Sequence, residues 1–505
     1  MATIDTAPSP VDELSDLPVG QRPEDERLPV LTTLSFGIQH ILAMFGGVIA
    51  VPLIIGGAAG LTPSQQAVLV GGCLFLSGVT TIVQTVGFPG VGSQLPLVQG
   101  VSFATVATML AIIGKDGTEG LRTAFGAIMV AGLIGLAVIP LFAKIVRLFP
   151  AVVNGTVITV IGLSLMPVAA RWITGTETIK VNGEQVGNPD FANPGNIGLA
   201  MATLALILVC SKVRRLTRIA ILLGLVGGTI LAALFGKINT AGVGKAAIVG
   251  FPEPFAFGMP VFQVAAIVSM TIALLVIMVE TTADILAVGE VVETKVDAKR
   301  VARGLRADMG ASAIAPVFNA FPATAFAQNV GLVALTGIKS RYAVAAGGGV
   351  LVLLGLSPLA SAVVGMIPTP VLGGAGIALF GTVAASGIRT LAKVDYSGTT
   401  NILVVAVAMG MGLVPVVSPH FWSGLPTWAG TVLESGISSA AITAVALNLL
   451  FNEWRPIEPS GMALAAARAR DITDVELRIL AEGGSFEAGQ TVKVKAAEAA
   501  PPTAH

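Results

Sequence analysis

The stretch FAQNVGLVALTGIKSR, Phe326 to Arg341, sets a Gln-Asn pair, two glycines and a threonine among apolar runs, then closes with Lys339 and Arg341. Its meaning depends on its surroundings. The chain has 505 residues, of which 54% are hydrophobic and only 11% charged. A soluble protein of this length needs a far more charged surface. Apolar runs of about 17 to 25 residues recur throughout, the length that crosses a hydrocarbon core of about 30 Å. The fold class is therefore all-α and polytopic, a helical membrane protein. The 60 glycines suit close helix packing and interrupted helices in lipid.

About fourteen spans of suitable length can be drawn between residues 32 and 451. The third, near 96–114, and the tenth, near 324–338, are too short and too polar to be plain helices. Flanking charge gives the orientation. With the N-terminus inside, the inner loops hold Arg22, Arg27, Lys144, Arg147, Lys212, Arg214, Arg215 and Arg218, then Lys295, Lys299, Arg300, Arg303, Arg306, Lys339, Arg341, Arg389 and Lys393. The outer loops hold only Lys115, Arg122, Arg171, Lys180, Lys237 and Lys245. This bias predicts cytoplasmic ends. Residues 1–29 are polar and acidic and read as a disordered cytoplasmic leader without a cleavable signal peptide. The tail, 453–505, contains one amphipathic candidate, ITDVELRILAEG, and the longest outer loop is the polar segment Trp172–Asn196. Cys73 and Cys210 sit in apolar runs and read as buried small residues. A net charge of zero gives no sign of nucleic-acid binding.

An internal repeat is visible. PAVVNG, Pro150 to Gly155, and PTPVLG, Pro368 to Gly373, open the fifth and twelfth spans. PLVQGVSF, Pro96 to Phe103, matches PATAFAQNVG, Pro322 to Gly331, in carrying a proline, a β-prone stretch, a glutamine and a glycine. Both pairs are seven spans apart, so the second copy runs inverted across the bilayer. Inverted repeats with interrupted helices at matching positions point to a secondary transporter with a midplane site.

Irregular backbone at that depth needs protein partners or a cavity. The tenth span is expected to be extended around Ala323 to Phe326 and helical from about Gln328; the third is expected to be extended before Ser102. Helices starting there aim N–H groups at a common space. The Gln328 amide offers an acceptor and two donors in a plane, which suits a heterocycle edge with adjacent C=O and N–H groups, and Phe103 can pack on its face. Glu280 and Asp284, in VIMVETTADILAVG, are four apart and share a helix face. Burying each such charge costs about 2.5–3.5 kcal/mol on insertion scales, so unpaired carboxylates here point to function. Asp308 and His40 are the other deep titratable groups. An acid in a low dielectric can take up and release a proton, the physical basis of proton coupling.

QNVGLVALTGIKSR resembles the signature of the nucleobase–ascorbate transporters, the nucleobase–cation symport-2 permeases. Gln328, Asn329, Gly331, Thr336 and Gly337 fill it, and QHILAM, QGVSF and ETTAD match further blocks in order. The resemblance covers roughly 30 to 450 and implies fourteen segments as two inverted repeats. It implies a core domain of 30–148 and 259–360 and a gate domain of 149–258 and 361–452, moving as an elevator in a plasma-membrane homodimer. Glu280 matches the family's substrate-binding glutamate. Gln328 matches the residue that sorts substrates, Gln going with xanthine and uric acid, Glu with uracil, Pro with ascorbate. Asp284 fits the xanthine type; Asp308 and His40 match positions that matter for function or folding.

The expected function is proton-coupled uptake of xanthine or uric acid, with no cofactor beyond the proton. The expected substrate site is Glu280, Gln328, Ser102, Phe103, Gly331 and Asn329, with Asn329 more suited to holding the broken helix. The coupling or structural set is Glu280, Asp284, Asp308 and His40. Another nucleobase permease of the same family, such as a uracil carrier, is the alternative. An anion exchanger of the related fold would want a basic midplane residue. An intramembrane enzyme would want a nucleophile–base pair or a metal cluster, and three histidines and two separated cysteines supply neither.

Overall fold

The computed structural model describes residues 22–114, 116–142, 148–181, 184–213, 216–238 and 243–453. Helix α1, Val30–Ala58, turns back into α2, Pro63–Val86. The reversal is local chemistry. The Thr62 hydroxyl accepts from the Gln65 N–H, the Gln65 side-chain oxygen accepts from the Thr62 N–H at 3.0 Å, and Pro63 pre-sets the first helical turn. Strand β1, Gln99–Val101, leads through a 3-10 turn at Phe103–Thr105 into the short α3, Val106–Ile113. Then come α4, Thr118–Val138, α5, Ala151–Ser164, and α6, Met166–Thr174. The outer loop read as merely polar forms a hairpin, β2 (Thr178–Val181) with β3 (Glu184–Gly187). Helices α7, Pro194–Lys212, and α8, Ala220–Leu234, complete the first half.

The second half repeats the order. It comprises α9, Val264–Val292, α10, Ala298–Ile314, β4, Ala323–Ala325, α11, Ala327–Thr336, and α12, Arg341–Gly355. After these come α13, Pro358–Gly365, α14, Thr369–Leu391, α15, Thr399–Val417, α16, Thr427–Leu433, and α17, Gly436–Asn448. Among the described residues, eight helices are long and apolar enough to cross a membrane, and the pair α12–α13, bent by 82°, makes a ninth if taken as one span. The other expected segments fall on the shorter α3, α8, α10, α11 and α17.

The two irregular segments meet. β1 and β4 pair antiparallel, Gln99 opposite Ala325, Gly100 opposite Thr324 and Val101 opposite Ala323. Ser102 N–H donates to the Pro322 carbonyl at 2.9 Å and Phe326 N–H to the Val98 carbonyl at 3.1 Å. Each extended stretch thus satisfies the other's backbone, which is what permits non-helical chain at membrane depth. Since the strands are antiparallel, α3 and α11 leave the crossing in opposite directions, as an inverted repeat requires. Pro150 and Pro368 are the N-caps of α5 and α14, and these two helices pack on each other. Their backbones nearly touch: a Cβ on Gly162 would lie 2.3 Å from Ala384 N, and one on Gly387 would lie 2.3 Å from Thr159 N.

The larger helix contacts fall mainly within two sets, and α9 on α16 and α17, α8 on α1, and α17 on α3 join them. α2 packs on α1, α12, α13 and β1, while α4 packs on α3, α9 and α10. In the second set α14 packs on α5, α6, α7 and α8, and α17 on α5 and α15.

The leader needs correction. Residues 22–29, expected to be disordered with the rest of 1–29, are held in place. Glu24 and Asp25 are buried in a short 3-10 turn. Glu24 pairs with Arg300, and Asp25 accepts from Arg341 Nε at 2.6 Å. The cause lies in the arginines, each at the first turn of a helix and itself buried. A buried guanidinium demands a counter-charge, and the leader supplies two. Arg341 also donates to the carbonyls of Thr85 and Val86, and Lys339 pairs with Glu293 at the surface. The cations that end the opening stretch therefore anchor its C-terminal end. The tail candidate ITDVELRILAEG lies outside the described residues.

Candidate functional site

The site is built around the β1–β4 crossing. α9 lies against β4, α11, α3 and the turn at Phe103–Thr105, so one helix touches both broken segments. Thr281 fixes the contact. Its hydroxyl donates to Asp308 Oδ2 at 2.6 Å and accepts from the Ala325 N–H at 3.4 Å. Ser312 adds a second tie: it accepts from the Ala323 N–H at 3.0 Å and donates to the Asp308 carbonyl at 2.8 Å. Asp308 is fully buried and acts here through Thr281 on the strand. On the other strand, Thr81 Oγ1 accepts from Gln99 N–H at 2.9 Å and donates to Gln99 O at 3.2 Å.

Glu280 precedes Thr281, and Asp284 lies one turn further along α9. Both are half-buried, and among the described residues neither carboxylate has a hydrogen bond or ion pair. From Ser269 to Val279, α9 presents no exposed residue; from Glu280 on, Ala283, Leu286 and Glu290 are exposed. On α11 the exposed positions are Ala327, Gly331 and Ala334, one helical stripe. Nothing lies within 4 Å of where a Gly331 Cβ would be. α9 and α11 pack together, and the exposed stripe of α11 runs along its length. Ala283, Leu286 and Glu290 form the exposed stripe of α9, and Glu280 and Asp284 flank it half-buried. Carboxylates facing hydrocarbon are too costly, so this side of α9 is the candidate for the water-accessible face. Gly337, at φ 69, takes the left-handed conformation that ends α11, which explains the signature's Thr-Gly step.

His40 and Asn329 are brought together. Asn329 Nδ2 lies 3.0 Å from His40 Nδ1 and donates to the His40 carbonyl at 3.0 Å. Both are buried, so Asn329 ties the start of α11 to α1. Ser102 is buried, and its Oγ accepts from the Ala104 N–H at 3.1 Å, capping the turn that follows β1. Phe103 is half-buried; its ring meets Phe380 of α14 edge-on, with centroids 6.0 Å apart. Phe326 lies over Gly100 and Gly47, where a Cβ would sit 2.3 and 2.7 Å from its ring. Gln328 is the second residue of α11; its side chain lies outside the described residues.

Sequence reading missed Thr281, Ser312 and Thr81, the hydroxyls that hold the strands. Thr281 was in view within ETTAD, but a lone threonine in an apolar helix usually bonds its own backbone, and nothing local marks the exception. No group of three or more His, Cys, Asp or Glu that could hold a metal is found among the described residues. Cys73 and Cys210 are buried and free.

Solved structures with this arrangement include the transmembrane domain of the cyanobacterial bicarbonate transporter BicA, with TM-score 0.55 and 18% identity over 82% of this chain and 96% of that one. The murine anion transporter Slc26a9 in an inward-facing state gives TM-score 0.57 and 14% identity over 89% of this chain and 73% of that one. At such identity the likeness is one of fold. Sequence relatives are much nearer. The uric acid transporter UacT of Escherichia coli is 38% identical over 86% of this chain and 89% of its own. The xanthine permease of Bacillus subtilis is 39% identical over 83% of this chain and 94% of its own. A family model described as a permease family matches residues 31–421. With the complete signature at the head of α11, these matches make the chain a membrane permease of the nucleobase–ascorbate transporter family.

Proposed function

We propose that this permease takes up purine nucleobases, xanthine or uric acid, together with protons. The observation that carries the reading is the place of Glu280. It stands beside Thr281, the residue that bonds β4, on the helix that lies against both broken segments. A flat, hydrogen-bonding ligand at the crossing would meet the Glu280 carboxylate, the amide of Gln328, and the Phe103 ring. Relatives at 38 and 39% identity carry uric acid and xanthine by name, which supports the substrate class. Gly331 leaves room on α11, Ser102 and Asn329 hold the two helix starts, and His40 and Asp308 brace them. Glu280 and Asp284 are the candidates to carry the coupling proton.

The cycle we propose is an elevator movement of 30–148 with 259–360 against 149–258 with 361–452. The larger helix contacts fall mainly within these two sets, and the 82° bend at α12–α13 lies at their boundary, which supports the reading. The lysine and arginine distribution supports cytoplasmic ends in a plasma membrane, and the family resemblance supports a homodimer and the fourteen-segment count. Uptake of labelled xanthine, uric acid, uracil and guanine by cells lacking their own permeases tests the assignment. Accumulation of xanthine or urate that an uncoupler abolishes is expected. Accumulation of uracil alone would move the protein to the alternative branch of the family, and accumulation of none would refute nucleobase uptake.

A further inference from the structure

Four buried hydroxyls join the two sets of helices at one level. Thr108 of α3 and Ser435, the cap of α17, have their oxygens 2.8 Å apart. Ser269 of α9 and Ser438 of α17 have theirs 3.1 Å apart, and Ser438 also reaches the Ser269 carbonyl at 3.4 Å. All four side chains are buried. α3 and α9 belong to the first set, α17 to the second. Thr108 precedes the end of α3, and Ser269 follows the start of α9, by five residues each, or about 8 Å of helix. With cytoplasmic chain ends, both helix termini are outer ones. The seam is therefore on the outer side of Glu280, and the open face of α9 is on the inner side.

We propose that these two hydroxyl pairs are the outer gate of the transport cycle, closed in this inward-open arrangement and parted in the outward-open one. The inference rests on the elevator reading above. The chemistry suits a contact that must break on every turnover. A bond between neutral hydroxyls is individually weak once water or another partner is counted, whereas an ion pair in the same place would lock the helices. A parted Ser or Thr on a helix can bond a carbonyl one turn back, so opening leaves no orphaned polar group. Ser435 already accepts from the Ser438 N–H at 3.3 Å, which keeps the start of α17 capped in either state. The small side chains also let α17 approach α3 and α9 without a bulky residue to displace.

The test is a paired cysteine variant, Thr108→Cys with Ser435→Cys, each single variant serving as control for the resident Cys73 and Cys210. Copper phenanthroline should consume the two new thiols, read by maleimide labelling, and stop xanthine or urate uptake; dithiothreitol should restore it. A disulfide that forms without slowing uptake would overturn the gate, and so would thiols that never oxidise, because the residues then do not meet in the membrane. A second readout needs no substrate. An added Ala334→Cys on α11 should label with impermeant maleimide from the cytoplasmic side of the oxidised protein and stay protected from outside. Labelling from outside would overturn the proposal even if the purine assignment failed. The milder variant Thr108→Val with Ser435→Ala removes both hydroxyls of the pair and leaves neither unpaired; Ser435→Ala alone is its control for loss of the cap on the Ser438 N–H. The double variant should populate the outward state and lower the KM for external substrate about threefold or more, without raising the maximal rate. An unchanged KM in a well-expressed protein would count against the gate.

Discussion

Asn329 of α11 donates through one amide nitrogen to both His40 Nδ1 and the His40 carbonyl of α1, each at 3.0 Å. The pair spans the two halves of the sequence and fixes where α11 begins. Two of the four family blocks, QHILAM and QNVG, thus serve one contact. The bond to Nδ1 requires that nitrogen to be unprotonated, so the contact is made by a neutral imidazole.

The first prediction follows from that contact. Asn329→Ala and His40→Ala should each destabilise the purified protein, by about 1–3 kcal/mol for a buried polar group left without its partner. The double variant should lose less than the sum, because the second change removes a group the first had already orphaned. Thermal melting in detergent of wild type, singles and double measures the coupling. Strict additivity would show that the pair does not act as a unit.

A second prediction concerns the leader. Glu24 and Arg300 are both almost inaccessible, at 0% and 5% side-chain exposure, so either charge alone is stranded. Glu24→Gln should cost about 3–5 kcal/mol, the range for breaking a buried pair from one side. Glu24→Gln with Arg300→Gln should recover part of that loss, since glutamine can still donate to the carbonyls of Ser93 and Gln94 that Arg300 now serves. A double variant as unstable as the sum of the singles would mean the acid is held for its shape alone.

These two contacts show where sequence reading succeeded and where it stopped. The broken third and tenth segments were legible because proline, glycine and polar residues interrupt apolar runs that are otherwise long enough to span. Glu280 and Asp284 stood out because charge inside such a run is expensive. The N-terminal anchor was not legible. An acidic segment before the first span looks like solvated leader, and the feature that captures it is a pair of arginines 276 and 316 residues away. Thr281 and Ser312 were equally silent. A hydroxyl's usual bond is to its own helix; Ser312 keeps that bond and adds one from β4, while Thr281 donates to Asp308 instead.

The third prediction concerns coupling. Glu280 has no partner among the described residues, and in the proposed cycle it carries the coupling proton. Uptake should rise as external pH falls and collapse with an uncoupler. Glu280→Gln keeps the shape and removes the ionisation, and should abolish accumulation while the protein still reaches the membrane. Asp284→Asn, one turn further along α9, should reduce the rate without abolishing it. Wild-type accumulation against a gradient by Glu280→Gln would remove Glu280 from the coupling step.

The last prediction concerns selectivity. Gln328 is the second residue of α11, beside Asn329, whose amide nitrogen is engaged with His40 and whose Oδ1 is buried. Of the two amides, Gln328 is therefore the one proposed to read a ligand. It can donate and accept along a purine edge, whereas an ionised carboxylate in its place can only accept. Gln328→Ala would leave buried ligand N–H and C=O groups unmatched at about 1–3 kcal/mol each, a loss of roughly tenfold or more in xanthine or urate affinity. Gln328→Glu should instead change the ligand profile, because it removes donors and adds a further titratable acid to the site proposed around Glu280. Competition by xanthine, uric acid, uracil and methylated xanthines distinguishes a weakened profile from an altered one. Unchanged profiles in both variants, at normal surface expression, would mean that the head of α11 shapes the backbone at the crossing and that the ligand is read elsewhere.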